Sequence, residues 1–87
     1  MASAAGSVRV NFYAAARAAA GVSHVEVSPG PLDAVLARAV DQTQAKLADV
    51  LPQCSLLLDG LAMHGDTSRM AIEAGSEVDV LPPFAGG

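Results

Sequence analysis

Residues 7–13 read SVRVNFY. The stretch alternates, with Val8, Val10 and Phe12 on one side of an extended chain and Arg9, Asn11 and Tyr13 on the other. A period of two over this length predicts a β-strand with one buried face. Residues 77–82, EVDVLP, repeat the pattern near the other end of the sequence with Val78 and Val80 inward. Pro82 ends that strand because it has no N–H to give to a ladder. Two half-buried strands at opposite ends of the sequence are the natural central pair of one sheet, and the intervening chain must fold around them.

The segments between them alternate in kind. Residues 14–21, AAARAAAG, are rich in the best helix former and read as a short helical turn stopped by Gly21. Residues 22–28, VSHVEVS, form a second strand with Val25 and Val27 on one face, giving a hairpin with a wide connection. Pro31 suits the first position of a helix, with Gly30 before it as cap and Asp33 in the first turn at the positive helix end. Leu32, Val35, Leu36, Ala39 and Val40 then recur at helical spacing, which makes this the main helix. AKLADVL (45–51) adds a weaker helical turn before Pro52. CSLLLDG (54–60) is a continuous apolar run with a turn signal, expected as a strand covered on both faces. LAMHGD (61–66) returns after the Asp59-Gly60 turn, and Met70 and Ile72 are expected to plug the core. Strands on both sides of one main helix predict an α+β domain, a mixed sheet packed over that helix. Val10, Phe12, Leu36, Leu57 and Val80 are expected to meet in its core.

Composition limits the function. The 87 residues make one domain, 52% hydrophobic and with a net charge of -4. Five scattered basic residues give no footprint for a phosphate backbone, so no nucleic-acid partner is expected; a protein partner with basic groups suits the charge better. Cys54 is the single cysteine, which excludes an internal disulfide and a cysteine-based metal cluster. Neither a signal peptide nor a membrane span is evident, so the cytoplasm is the expected compartment. Cys54 lies in an apolar run and reads as a structural thiol; His64 reads as exposed, and Asp59 and Asp66 as turn residues. Lys46 is the only lysine, hence the one internal branch point for any lysine-linked polymer.

The sequence closes with VLPPFAGG (80–87). Pro82 and Pro83 favour polyproline II geometry, so little entropy is lost when the segment is held. The six residues 82–87 reach roughly 20 Å at full extension. Phe84 is a large apolar group on a stalk, suited to a partner's pocket. Ala85, Gly86 and Gly87 then taper to bare backbone, the shape of a peptide threaded down a narrow channel with its carboxylate leading. An ionised carboxylate is a weak electrophile, and chemistry on it requires activation, for example attack on ATP to form an acyl-adenylate. This chain has no P-loop, so a partner must bind the ATP.

VRVNFYAAARAAAG (8–21), LDG (58–60) and EAGSEVDVLPPFAGG (73–87) together resemble the ubiquitin-like sulfur carriers, most closely the small subunit of molybdopterin synthase. Asp59 departs from the Asn that many relatives carry. The resemblance implies a β-grasp domain over 8–81 with an extended tail at 82–87; residues 1–7 are an extension beyond it, expected to be disordered. It implies that Gly87 is adenylated by an adenylyltransferase similar to the ubiquitin-activating class. A sulfurtransferase then converts Gly87 to a thiocarboxylate, which gives its sulfur to cyclic pyranopterin monophosphate in molybdenum cofactor biosynthesis. On this reading the chain binds no cofactor and is not an enzyme alone. The synthase large subunit supplies the catalytic side chains, Gly86 permits access, and Pro82, Pro83, Phe84 and Ala85 contact partners. Three other functions stay open: a carrier for thiamine or cysteine synthesis, a covalent modifier joined through Gly87 to lysines, and a plain interaction domain.

Overall fold

The computed structural model describes residues 6–83. Five strands build the main sheet: β1 (Val8–Phe12), β2 (His24–Val27), β4 (Ser55–Leu58), β5 (Leu61–Ala62) and β7 (Glu77–Leu81), in the order β2-β1-β7-β4-β5. A second, two-stranded sheet pairs β3 (Gly30–Pro31) with β6 (Ala71–Ile72). The helices are α1 (Ala15–Ala20), α2 (Leu32–Asp41) and α3 (Lys46–Val50), followed by a 3-10 turn at Leu51–Gln53. The expected α+β architecture is therefore present, with β1 and β7 at its centre.

β1 and β7 run parallel, with Val10 opposite Val78 and Phe12 opposite Val80. Their inward residues Val8, Val10, Phe12, Val78 and Val80 are essentially solvent-free. Leu32, Val35 and Ala39 of α2 bury the facing stripe, and Leu36 and Val40 pack half-buried beside it. Leu47 of α3 and Ile72 of β6 complete the core. Burial of these aliphatic groups is the main favourable term holding the two layers together.

α1 ends as its sequence dictates: Gly21 takes φ 83°, and its N–H donates to the Arg17 carbonyl at 2.9 Å. Its start is less usual. Ala14 has φ 53° and ψ -125°, a region that favours glycine.

The structure corrects four expectations. Leu57 is not in the core: Leu56 and Leu58 pack against it, and Leu57, one residue out of phase, lies on the opposite face of β4. β4 is only half-buried along its length rather than covered on both faces. Met70 is 43% exposed, and only Ile72 of the expected pair fills the core. Finally, Gly30 does not cap α2. It pairs in β3, Pro31 occupies the N-cap, and the first helical N–H groups are satisfied from across the chain. Leu32 N donates to the Met70 carbonyl and Asp33 N to the Ser68 carbonyl, both at 2.8 Å. At the N-terminal side, residues 1–5 of the expected extension lie outside the described residues, while the Ser7 carbonyl accepts from Gly75 N at 2.8 Å.

Candidate functional site

The site read from the sequence is the tail, and its root is where β7 ends. Val80 is fully buried and held from both sides, by Phe12 on β1 and Leu56 on β4. Its carbonyl accepts from Tyr13 N at 3.0 Å. Leu81 still pairs with Ser55 and is half-buried, whereas Pro82 and Pro83 are exposed. The backbone thus passes from the middle of the sheet to solvent within three residues. The change falls at Pro82 because its ring nitrogen cannot extend the ladder. Phe84, Ala85, Gly86 and Gly87, the remaining site residues of the sequence reading, lie outside the described residues.

The solvent face of the sheet behind this root carries an ordered polar cluster. Asn11 donates its amide to the Asp79 carboxylate at 2.8 Å and to Glu77 at 3.3 Å. Arg9 Nε donates to the Asn11 carbonyl oxygen at 3.1 Å. Asn11 therefore ties β1 to β7 on the side away from the core. Sequence reading placed Asn11 on the polar face but gave it no role; an amide on the outer face of a central strand was the available signal. Asp59, which has φ 50° in the β4–β5 turn, accepts from Glu77 N at 2.8 Å. It fixes the start of β7, in keeping with its reading as a turn residue.

The other candidates are accounted for locally. Cys54 is half-buried, its Sγ–H donates to the Val50 carbonyl at 3.4 Å, and burial pushes its thiol above the usual range, which disfavours the nucleophilic thiolate. Asp66 is exposed and accepts from the Ser68 hydroxyl (2.8 Å) and backbone N–H (3.2 Å), which hold its carboxyl below the usual range. His64 is exposed. Among the described residues no group of three or more His, Cys, Asp or Glu is placed to hold a metal ion, and no helix is long and apolar enough to cross a membrane. At the tail root the described residues present a strand end that leads into two exposed prolines.

No family model and no curated protein sequence matches the chain. Solved structures do. Small archaeal modifier protein 1 (SAMP1) from Methanosarcina acetivorans is 24% identical with a TM-score of 0.77, over 94% of this chain and 97% of that one. SAMP1 from Haloferax volcanii is 24% identical with a TM-score of 0.74, over 94% and 100%. A complex of subunits 1 and 2 of molybdopterin-converting factor from Helicobacter pylori includes a chain 18% identical with a TM-score of 0.65, over 93% and 99%. The fold is thus that of a β-grasp domain of the ubiquitin-like type, shared with the small archaeal modifier proteins and a molybdopterin-converting factor chain. It agrees with the resemblance to ubiquitin-like sulfur carriers drawn from the sequence.

Proposed function

We propose that this protein is a sulfur carrier and acts as the small subunit of a molybdopterin synthase. The observation that carries the reading is the course of β7, from the fully buried Val80 between β1 and β4 to the exposed Pro82 and Pro83. Because β7 is rooted in the centre of the sheet, the chain leaves a rigid body at a defined point, Pro82. The likeness to a chain of a two-subunit molybdopterin-converting factor supports a large subunit as partner.

In the proposed cycle the Gly87 carboxylate attacks the α-phosphate of ATP on a ubiquitin-activating-like adenylyltransferase, and pyrophosphate leaves. The terminal sulfur of a sulfurtransferase persulfide attacks the acyl carbon and AMP leaves; a second thiol then attacks the enzyme's sulfur of the resulting acyl disulfide, forming a disulfide with it and releasing the thiocarboxylate at Gly87. The large subunit receives Pro82, Pro83, Phe84, Ala85 and Gly86 in its channel and supplies the side chains for sulfur transfer to cyclic pyranopterin monophosphate. Glycine at the end leaves the acyl carbon open to the nucleophile, since it has no Cβ. ATP is a substrate of the partner, and this chain carries sulfur only through its own terminus.

Intact-protein mass spectrometry after incubation with activating enzyme, ATP and a sulfur source tests this directly. Wild type exchanges one oxygen for one sulfur at Gly87. Gly87→Val, and a chain extended by one residue, lose loading and molybdopterin formation because near-attack geometry is lost. Loading of the extended chain at the wild-type level would refute the carrier reading. A second reading, a covalent protein modifier, is favoured by the likeness to SAMP1. Isopeptide-linked conjugates through Gly87 in cell extracts, without a thiocarboxylate form, select it. A sulfur carrier of thiamine or cysteine synthesis is separated by which acceptor the loaded chain turns over.

A further inference from the structure

On the helical side of the sheet, α2 and the loop preceding β6 do not close over β4. Leu36 and Leu56 face the core yet stay half-buried. With Leu32 they line an open groove of about 270 Å³, bordered by Asp33, Asp66 and Ser68. The border is pre-organised. Asp33 N donates to the Ser68 carbonyl at 2.8 Å, Leu32 N to the Met70 carbonyl at 2.8 Å, and Asp66 accepts from both the Ser68 hydroxyl and N–H. Both carboxylates are exposed, and among the described residues no basic side chain lines the groove.

Size and charge together define what fits. The volume falls below the roughly 300–1,000 Å³ of pockets that enclose a whole small molecule, and suits one or two side chains of a larger ligand. Apolar walls beside two carboxylates without a cation of their own are complementary to an apolar side chain adjoining a guanidinium or ammonium group. A groove fixed by backbone hydrogen bonds costs little ordering when it is occupied.

We propose that this groove docks a protein partner through a short basic segment, with a leucine-sized side chain between Leu36 and Leu56 and a neighbouring Arg or Lys against Asp33 and Asp66. Of the groove residues only Leu56 adjoins the tail root, where it pairs with Val80, and neither Pro82 nor Pro83 lines the groove. A partner held here leaves the chain beyond Leu81 available to a second protein. The inference does not rest on the chemistry proposed for Gly87, and its test does not involve sulfur.

The isotope-labelled full chain is titrated with acetyl-Gly-Leu-Arg-Gly-amide and, separately, with acetyl-Gly-Leu-Glu-Gly-amide, and followed by NMR. The arginine peptide shifts the amides of Leu36, Leu56 and Ser68, and the glutamate peptide does not. The Asp33→Asn/Asp66→Asn double variant keeps both side-chain oxygen acceptors but loses both charges, and binds the arginine peptide roughly tenfold more weakly. Added salt weakens wild-type binding as well, which tests the charge contribution without any substitution. Shifts that miss the groove, equal responses to the two peptides, or affinity insensitive to both salt and the double variant overturn the proposal.

Discussion

Asn11 reaches across the parallel β1–β7 pair and donates to Asp79 at 2.8 Å, joining residues 68 positions apart in the sequence. Asn11→Ala removes this bond, the longer one to Glu77 and the one accepted from Arg9, while leaving the buried faces of both strands untouched. The loss expected is at least the roughly 0.5–1.5 kcal/mol of one net hydrogen bond, read as a lower urea midpoint with an unchanged slope. An unchanged midpoint would mean that the contact contributes nothing net to the central pair.

Ala14 sits at φ 53° and ψ -125°, where a Cβ is crowded and glycine is not. Ala14→Gly should therefore stabilise the protein by about 1 kcal/mol, although glycine in most other places destabilises. For a domain of this size that is a rise in Tm of about 4–8 °C. A lower Tm would show that the unfolded chain's gain in freedom outweighs the relief of strain.

Leu47 is fully buried and Leu36 only half-buried, so the two leucines separate in cost. Leu47→Ala is expected to lose about 2–5 kcal/mol and Leu36→Ala distinctly less, measured by denaturant unfolding. Equal losses would indicate that the groove beside Leu36 is closed in solution.

The thiol of Cys54, raised by burial, favours the protonated form in the folded state. Its contribution to stability is present below the ordinary thiol range and is lost as pH rises through the raised folded value. Native protein should react more slowly with iodoacetamide at neutral pH than urea-unfolded protein does. Equal rates would place the thiol in solvent.

Phe84 is proposed as the anchor of the tail in the large subunit. Phe84→Ala should weaken that complex by about 2 kcal/mol or more by calorimetry, while the circular dichroism of the free domain stays unchanged. Retained affinity would move the anchor to another residue of the tail.

The central sheet is legible in the sequence because β1 and β7 each bury one face, and alternation records that directly in Val8, Val10 and Phe12 and in Val78 and Val80. The α2 stripe is legible for the same reason at a different period. Three consecutive leucines at 56–58 carry no alternation, so nothing local says that Leu57 faces away from the core. β3 and β6 are two residues long, too short for a pattern. Their effect, capping α2 with the Met70 and Ser68 carbonyls, arises from a backbone contact between distant segments. At the site, the tail root is legible because Pro82 marks the end of a ladder by its own chemistry. The Asn11–Asp79 bond is not, because it exists only once the parallel register is set.

The parallel pairing of β1 with β7 also governs how the domain bears force. Chain entering β1 and chain leaving β7 emerge at opposite ends of one hydrogen-bonded pair. A protein that draws on the stalk at Pro82 while the opposite end is held loads the β1–β7 bonds in shear, along the strands. The β4–β7 ladder resists beside them, so rupture requires many bonds to fail together rather than peel one at a time. Under such a load the pair acts as a mechanical clamp, and its lifetime is set by the unfolding barrier rather than by the equilibrium stability.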